Sequence, residues 1–385
     1  MPPLNLLIKP ASSNCNLKCK YCFYHSIAEN RIVPSYGMMD CNTLETLVSK
    51  ALQYADYSCT FAFQGGEPTL AGLDFYKRLI ELQKKYNAKK TDIHYALQTN
   101  GLLIDDEWAR YLAKNKFLVG ISLDGIKDIH DSMRIDAKGQ GSFNRIIDTI
   151  NLFNKYGVEF NILTVVNSFA ARHITKIYNF YKKSNFRYLQ FIPCLDPLGQ
   201  EPGSFEYSLT PERYSYFLKT LFDLWYQDIM KNDIVSIRYF DNLVGMILGY
   251  RPEACGMSGE CTCCFVIEAH GGVYPCDFYV LDKWCLGNIK DTGFEELGST
   301  PQAIEFVESS KHIDPECSQC KWFSLCRGGC RRNREPFIDS KPALNYFCSS
   351  CKEFFDYAVP KLYQIANSVK SRKSFYDFSL QDYPQ

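Results

Sequence analysis

The chain has no excess of either charge: Lys and Arg together number 43, and so do Asp and Glu. A molecule without a net field does not steer polyanions to its surface, so neither nucleic acid nor an anionic membrane is an expected partner. No apolar run approaches the ~18 residues needed to span a bilayer. The opening residues Met-Pro-Pro-Leu-Asn-Leu-Leu-Ile-Lys-Pro lack a basic n-region and carry too short an apolar stretch for a signal peptide. Low-complexity tracts and tandem repeats of fixed period are missing too. These absences point to a cytoplasmic protein. What the chain has instead is cysteine, 18 residues of it. A reducing compartment argues against structural disulfides as the use for so many thiols, and makes metal binding or catalysis the expected one. At 385 residues the chain exceeds one ordinary core, so two domains are expected. A hydrophobic content of 46% against 22% charged describes a globular fold.

Residues 1–195 alternate β-rich apolar runs with amphipathic stretches. The expected strands are Leu4–Lys9, Cys59–Gln64, Ile93–Thr99, Leu118–Leu123, Glu159–Val166 and Tyr188–Cys194. Helical spacing of apolar residues occupies 42–55, 74–86, 106–114, 142–156 and 171–183 between them. Strand–helix alternation of this kind implies right-handed crossovers and a parallel sheet. The expected fold class is α/β, a partial (β/α)6 barrel: an open version of the eight-fold barrel, with its active loops at the C-terminal strand ends. Several motifs fall on that rim: the loop 15–22, Gln64-Gly-Gly-Glu-Pro68, Gln98-Thr-Asn-Gly101, Ser122-Leu-Asp-Gly125, Asn167 and Asp196-Pro197. A Pro/Gly-rich link, Pro193 to Pro202, leads to a helix around Pro211–Met230 capped by Thr210. From about 235 the pattern changes to short strands, turns and cysteines. The expected division is therefore 1–235 for the barrel and 236–385 for a Cys-rich domain ending in a helix.

The thiols cluster: three lie in 15–22, five in 255–276 and six in 317–351. Cys15, Cys19 and Cys22 share one eight-residue loop after the first strand, with no fourth Cys or His inside it. A structural zinc site closes with four protein ligands, whereas a centre one ligand short keeps a position open for chemistry. This C-x3-C-x2-C loop, with Tyr21 in its last gap, resembles that of the radical S-adenosylmethionine (SAM) enzymes. In that family three cysteines hold a four-iron, four-sulfur cluster whose fourth iron binds SAM. The glycines of Gly65-Gly66-Glu67-Pro68 permit close backbone approach, and by resemblance this turn receives the SAM amino group. The same resemblance gives Tyr21 an adenine-side contact and Ser122 and Arg134 the methionyl carboxylate or ribose. It offers Leu195 as a further adenine contact. A guanidinium suits a carboxylate because it makes two parallel hydrogen bonds.

In the second half, Cys255-x5-Cys261 and Cys276 precede Cys317-x2-Cys320-x5-Cys326-x3-Cys330, with Cys348 closing the series. Eight thiols divide into two sets of four. The arrangement resembles the SPASM extension of radical SAM enzymes, which carries two auxiliary clusters, making three [4Fe-4S] clusters with the first. By that resemblance Cys255, Cys261, Cys276 and Cys330 hold one and Cys317, Cys320, Cys326 and Cys348 the other, the last Cys of the run crossing over as in two-cluster ferredoxins. Four thiolates per cluster leave no open iron, so both would carry electrons. Zinc in the same sets is the alternative. Cys263 and Cys264 beside Cys261, and Cys351 beside Cys348, leave the register open. Cys41, Cys59, Cys194 and Cys285 are expected as small buried hydrophobes. Asp277, directly after Cys276, is a candidate base.

The opening Pro-Pro-Leu-Asn-Leu-Leu-Ile-Lys-Pro-Ala-Ser, Phe61-Ala-Phe-Gln-Gly-Gly-Glu-Pro68, Phe117-Leu-Val-Gly120, Ser236-Ile-Arg-Tyr-Phe-Asp241 and Val273-Tyr-Pro-Cys-Asp-Phe-Tyr-Val-Leu-Asp-Lys-Trp284 are similar to the anaerobic sulfatase-maturating enzymes. That resemblance implies oxidation of a Cys or Ser in an unfolded sulfatase polypeptide to Cα-formylglycine, begun by a 5′-deoxyadenosyl radical. Asp277 would take a proton, an auxiliary cluster the electron, and a flavodoxin- or ferredoxin-type protein would donate electrons. Gln64, Gln98 and Asn100 are expected as amide partners for an extended peptide backbone. A chain that starts at its first strand, with no leader-binding domain ahead of it, favours recognition of a short motif. The alternatives are a SPASM enzyme that forms a thioether or carbon–carbon crosslink, and a non-catalytic zinc-binding protein.

Overall fold

Strand β1 (Leu4–Lys9) buries Leu4, Leu6 and Ile8 on one face and ends where Pro10 can no longer donate to a ladder. The computed structural model describes residues 3–338 and 341–371. Packing divides these into two compact units that interleave along the chain: 1–123, 130–160 and 262–307 form one, and 124–129, 161–261 and 308–385 the other.

In the first unit β1 pairs in parallel with β2 (Ser58–Phe63), β2 with β3 (Asp92–Thr99) and β3 with β4 (Phe117–Ser122). Helices Cys41–Tyr54, Leu73–Tyr86 and Asp106–Lys114 make the crossovers. Two begin at aspartates whose carboxylates accept backbone N–H groups, Asp40 from Thr43 and Asp105 from Trp108. Aromatic rings lock the register: Tyr95 lies opposite Phe61 on one side and Phe117 on the other, and stacks on Phe117 at 4.9 Å.

The sheet also extends past β1 in the other direction, which the periodicity of the sequence does not predict. Strand β8 (Val266–Glu268) pairs in parallel with β1, and β9 (Gly272–Tyr274) and β10 (Gly287–Asn288) follow antiparallel. The register sets Lys9 directly opposite Glu268, and both side chains are buried, 3.4 Å apart. Arg31 reaches the same carboxylate oxygen at 2.6 Å. Burial opposes the charge on Glu268, yet Lys9 and Arg31 together hold its carboxyl below the usual range.

In the second unit β5 (Phe160–Val166), β6 (Tyr188–Pro193) and β7 (Ser236–Ile237) form a parallel ladder. The single helix expected over 171–183 is two, Ser168–Arg172 and Ile174–Lys183. Asn167, read as a rim residue, caps the first of them through Phe169 and Ala170 N–H. The helix Pro211–Met230 lies against the long helix Cys348–Ser371 over a cluster of rings, with Phe240 5.4 Å from Phe222, 5.0 Å from Trp225 and 5.9 Å from Phe354. Among the described residues no helix is long and apolar enough to cross a membrane.

Removing one partner of a buried ion pair leaves an unpaired charge and costs about 3–5 kcal/mol. Glu268→Ala is therefore expected to destabilise the chain by about that amount, measured by denaturant unfolding under anaerobic conditions. Because the folded Glu268 pKa is depressed, the wild-type advantage should be present above the unfolded carboxyl pKa and fade as pH falls through the folded one.

Candidate active site

The loop between β1 and the helix Phe23–Glu29 is tied down by backbone bonds rather than by regular structure. Lys18 N–H donates to Ile135 C=O and Lys20 N–H to Met133 C=O, with a further bridge from Leu17 to Asp136. These bonds bring Arg134 over the Tyr21 ring, 5.5 Å from its centre. Both residues are buried, Arg134 with only 6% of its surface exposed. A guanidinium held so deep is no solvated surface group. Of the three loop cysteines, Cys15 is exposed and Cys19 and Cys22 half-buried. Asn100 Nδ2 and Leu17 N–H both point at the Cys15 sulfur, at 3.8 and 3.4 Å. His25, three residues beyond Cys22, is 76% exposed and faces Glu29.

The turn after β2 shows why it needs glycine twice. A Cβ on Gly65 would sit 2.5 Å from the Lys9 side chain, and one on Gly66 would sit 2.2 Å from the Asn14 carbonyl oxygen. Both residues also have φ in the left-handed region. The turn is thus pressed onto the three-cysteine loop, and Glu67 N–H donates to Asn14 C=O. The Glu67 carboxylate, 1% exposed, accepts from Thr69 N–H, Thr69 Oγ1, Thr99 Oγ1 and Asn100 N–H. It is a fastener between the ends of β2 and β3. Burial still pushes its pKa up against those four bonds. A cofactor contact from this turn would have to come from backbone atoms, since the carboxylate is committed.

Asp277 opens the short turn that follows β9, next to the helix Phe23–Glu29. Its Oδ2 accepts from Tyr24 OH at 2.5 Å and from Gln64 Nε2 at 3.1 Å, and Gln64 Nε2 also donates to Tyr24 OH at 2.7 Å. Its Oδ1 is buried and has no hydrogen-bond partner. Phe23 and Phe278 meet edge to face beside it, 5.0 Å apart. Burial raises the Asp277 pKa, with Lys9, Tyr24 and Gln64 opposing and the Glu268 charge adding to the rise. Tyr24 is pushed well above its ordinary value by burial and then by Asp277, so it stays a phenol and a donor. Lys9 lies 4.8 Å from the centre of the Tyr24 ring.

Three rim amides have internal partners. Gln64 serves Asp277 and Tyr24, Gln98 donates to Ser122 Oγ at 3.1 Å, and Asn100 donates to Asn16 Oδ1 at 2.7 Å. Ser122 is buried at the end of β4. Leu195 is half-buried past β6 and belongs to the second unit. Tyr24 and Lys9 escaped sequence reasoning because no motif marks them. The one available signal was position, a tyrosine two residues past the last loop cysteine.

None of the remaining cysteines is joined in a disulfide. In the second unit Cys317, Cys320, Cys326, Cys348 and Cys351 line one cavity of about 310 Å³ including its open mouth, walled by the rings of Trp322, Phe323 and Phe355. Thiolate sets of this kind suit an iron–sulfur cluster, and they suit zinc as well. Cys255, Cys261 and Cys330 also belong to this unit; a Cβ on Gly256 would lie 3.4 Å from Cys330 Cβ. Burial, with Cys255 and Cys261 adding, pushes the Cys330 thiol up to about 12, so ionisation there needs a cation close by. Cys276, half-exposed, lies in the first unit, as do Cys263 and Cys264. Of the four cysteines expected as buried hydrophobes, Cys59 and Cys194 are buried. Cys41 is exposed at the first turn of its helix, on the solvent side of the Asp40 cap, and Cys285 is half-buried.

The model of the radical SAM superfamily matches residues 10–181, and that of an iron–sulfur cluster-binding domain (SPASM) matches 257–321. A cysteine-type anaerobic sulfatase-maturating enzyme of Clostridium perfringens is 57% identical over 370 residues, covering 96% of this chain and 100% of the relative. A serine-type enzyme of Bacteroides thetaiotaomicron is 33% identical over 379 residues, covering 93% and 90%. The structure of native anSMEcpe with bound AdoMet and the Cp18Cys peptide superposes with a TM-score of 0.92 at 54% identity, over 96% of this chain and 100% of that one. Streptococcus suis SuiB, at 17% identity and a TM-score of 0.60, shares the fold.

If the first loop holds a cluster of its own, Cys19→Ala should lose about a third of the iron and sulfide bound by the reconstituted wild-type chain. Metal analysis checks this; wild-type iron content in the variant would refute it.

Proposed function

The chain belongs to the anaerobic sulfatase-maturating enzymes, and from that premise we propose that it oxidises a cysteine of an unfolded sulfatase polypeptide to Cα-formylglycine. Cysteine rather than serine is the favoured target because the cysteine-type relatives share 52–57% of their residues with this chain and the serine-type relatives 28–33%. The observation that carries the reading is the half-tied carboxylate of Asp277, with Oδ2 engaged twice and Oδ1 buried and unpartnered.

The residues that would hold SAM and the first [4Fe-4S] cluster are Cys15, Cys19, Cys22, Tyr21, Arg134, Ser122 and the Gly65–Glu67 backbone, with Leu195 as a further adenine contact. Two more [4Fe-4S] clusters would sit on Cys255, Cys261, Cys276 and Cys330 and on Cys317, Cys320, Cys326 and Cys348. When bound, these groups supply a radical able to remove hydrogen from the target Cβ and a path for the electron left behind.

The chain's own part begins with the proton. Turning the thiol-bearing methylene of the target into a thioaldehyde removes one hydrogen atom from carbon, one proton from sulfur and one electron. Water then replaces sulfur, giving the aldehyde and hydrogen sulfide. Oδ1 of Asp277 is the acceptor left open for the sulfur proton. Tyr24 and Gln64 hold the carboxylate by Oδ2 and leave Oδ1 without a partner. The carboxylate is buried, and a dry surrounding strengthens its interaction with a thiol. Lys9 balances the charge until the proton arrives. An electron donor of the flavodoxin or ferredoxin type, a cytoplasmic location, and a division of chemistry at about residue 235 between radical loop and auxiliary thiols complete the proposal.

Mass spectrometry of a sulfatase-motif peptide after anaerobic turnover should show the thiol-bearing methylene exchanged for an aldehyde. A product lacking two hydrogens that keeps its sulfur in water and does not react with a carbonyl reagent would mean a crosslink and would sink the assignment.

Asp277→Asn should still cleave SAM but form almost no aldehyde. Tyr24→Phe removes one charge-assisted hydrogen bond, about 1.5–3 kcal/mol, and should slow aldehyde formation roughly ten- to a hundredfold while sparing SAM cleavage. Parallel loss of both activities in the two variants would strip Asp277 of its role.

A further inference from the structure

The segment that follows β6 is closed on itself by one carboxylate. Asp196 Oδ2 accepts from Gly203 N–H at 2.7 Å, and its Oδ1 accepts from Ser208 Oγ at 2.5 Å. Ser208 is buried, and its Oγ accepts in turn from Phe205 N–H at 3.0 Å. The far end is anchored to the helix Ser168–Arg172, where Ser168 donates through N–H to Tyr207 C=O and through Oγ to Glu206 C=O. At the near end Cys194 N–H donates to Val166 C=O, at the close of β5. A third hold comes from elsewhere in the chain: Arg332 Nη2 donates to Asp196 C=O at 2.6 Å, from the short turn Arg331–Arg334. Residues 199–206 are all exposed, so apolar burial does little to fix this loop and the hydrogen bonds set its course. Leu195 stands between the pinned Cys194 and the pinned Asp196, itself half-buried.

We infer that Asp196 and Arg332 are positioning residues for SAM, acting through Leu195. This rests on the reading of Leu195 as an adenine contact. A contact carried on an exposed loop has to be ordered when the ligand arrives, and that ordering is subtracted from the affinity. Asp196 fixes the loop from its own far end, and Arg332 fixes the Asp196 backbone from outside the loop. Leu195 is thereby held in place before SAM binds. Both residues belong to binding rather than to chemistry: releasing either should weaken SAM affinity and leave the turnover of bound SAM as it was.

The test compares Asp196→Ala, Asp196→Asn, Arg332→Ala and Leu195→Ala in the full chain reconstituted anaerobically with iron and sulfide. SAM affinity is read by equilibrium dialysis, SAM cleavage by 5′-deoxyadenosine release with dithionite as reductant, and cluster content by iron analysis. Asp196→Ala and Arg332→Ala should each weaken SAM binding roughly tenfold, the low end for loss of one hydrogen bond involving a charged group. Cleavage at saturating SAM and iron content should stay at wild-type level. Asp196→Asn should bind SAM close to wild type, because its amide can still accept from Gly203 N–H while donating to Ser208 Oγ. Leu195→Ala should weaken binding at least as much as the other two. Wild-type affinity in Asp196→Ala or Arg332→Ala, with Leu195→Ala weakened, would remove that residue from the role and leave the adenine contact standing. Wild-type affinity in Leu195→Ala would overturn the adenine contact, and the inference with it. Saturated cleavage or iron content that falls in step with affinity would make the two residues merely structural and overturn the inference as well.

Discussion

The pairing of Lys9 with Glu268 fixes the geometry on which the candidate chemistry depends. It sits at the point where the last residue of β1 faces the last residue of β8. Shortly beyond Lys9 the chain enters the three-cysteine loop, and shortly beyond Glu268 it passes through β9 to Asp277. One parallel strand pairing therefore sets the spacing between the proposed radical source and the proposed base. A slip of one residue would turn Lys9 to the other face of the sheet and leave Glu268 with Arg31 alone in a dry interior. The buried ion pair contributes to specifying register even where its net stability is small, a role for which such pairs are better suited than for adding stability.

The same logic of commitment runs through the loop cluster. Glu67 spends its carboxylate on four donors from two segments, and the two glycines before it exist because Lys9 and the Asn14 carbonyl occupy the space a side chain would need. Gln98 and Asn100 are likewise used inside the protein. Side chains that look like ligand donors in the sequence are thus largely the frame, and the groups left over, such as Oδ1 of Asp277, carry the weight of the functional argument. Preorganisation of this kind costs nothing at the moment of reaction, because the dipoles are fixed when the protein folds.

The barrel strands were legible in the sequence because each is a short apolar run followed by a helix of regular spacing. Leu4–Lys9 and Asp106–Lys114 match the expected bounds, and Pro211–Met230 does so because Thr210 and Pro211 mark its start. The Asn167 cap and the break at His173 were not legible, since an Asn before a periodic stretch reads equally as rim or cap. Strands β8 to β10 were missed because runs of two or three residues have no period to detect. In the candidate site, the cysteines, the Gly65–Gly66 turn and Asp277 were visible from spacing and resemblance. Tyr24, Lys9, Glu268 and Arg31 were not, because what unites them is a strand register between distant parts of the chain, and sequence order holds no trace of it.

Two carboxylates near one lysine are pushed in opposite directions, and this separates their roles. Glu268 has both Lys9 and Arg31 against it and keeps its charge despite burial. Asp277 feels Lys9 without a direct ion pair, and it also feels the negative charge of Glu268. Lys9 cannot satisfy both, and the register gives it to Glu268. Asp277 is therefore the more basic of the two, as the proposed proton acceptor has to be, while burial beside two cations keeps its neighbour's carboxyl below the usual range. Where environments drive two acids apart in this way, the one whose charge is poorly compensated is the one equipped for proton transfer. Moving the lysine's allegiance from Glu268 to Asp277 would settle the charge and remove the driving force, so the ion pair that holds the strands together also keeps the proposed base basic.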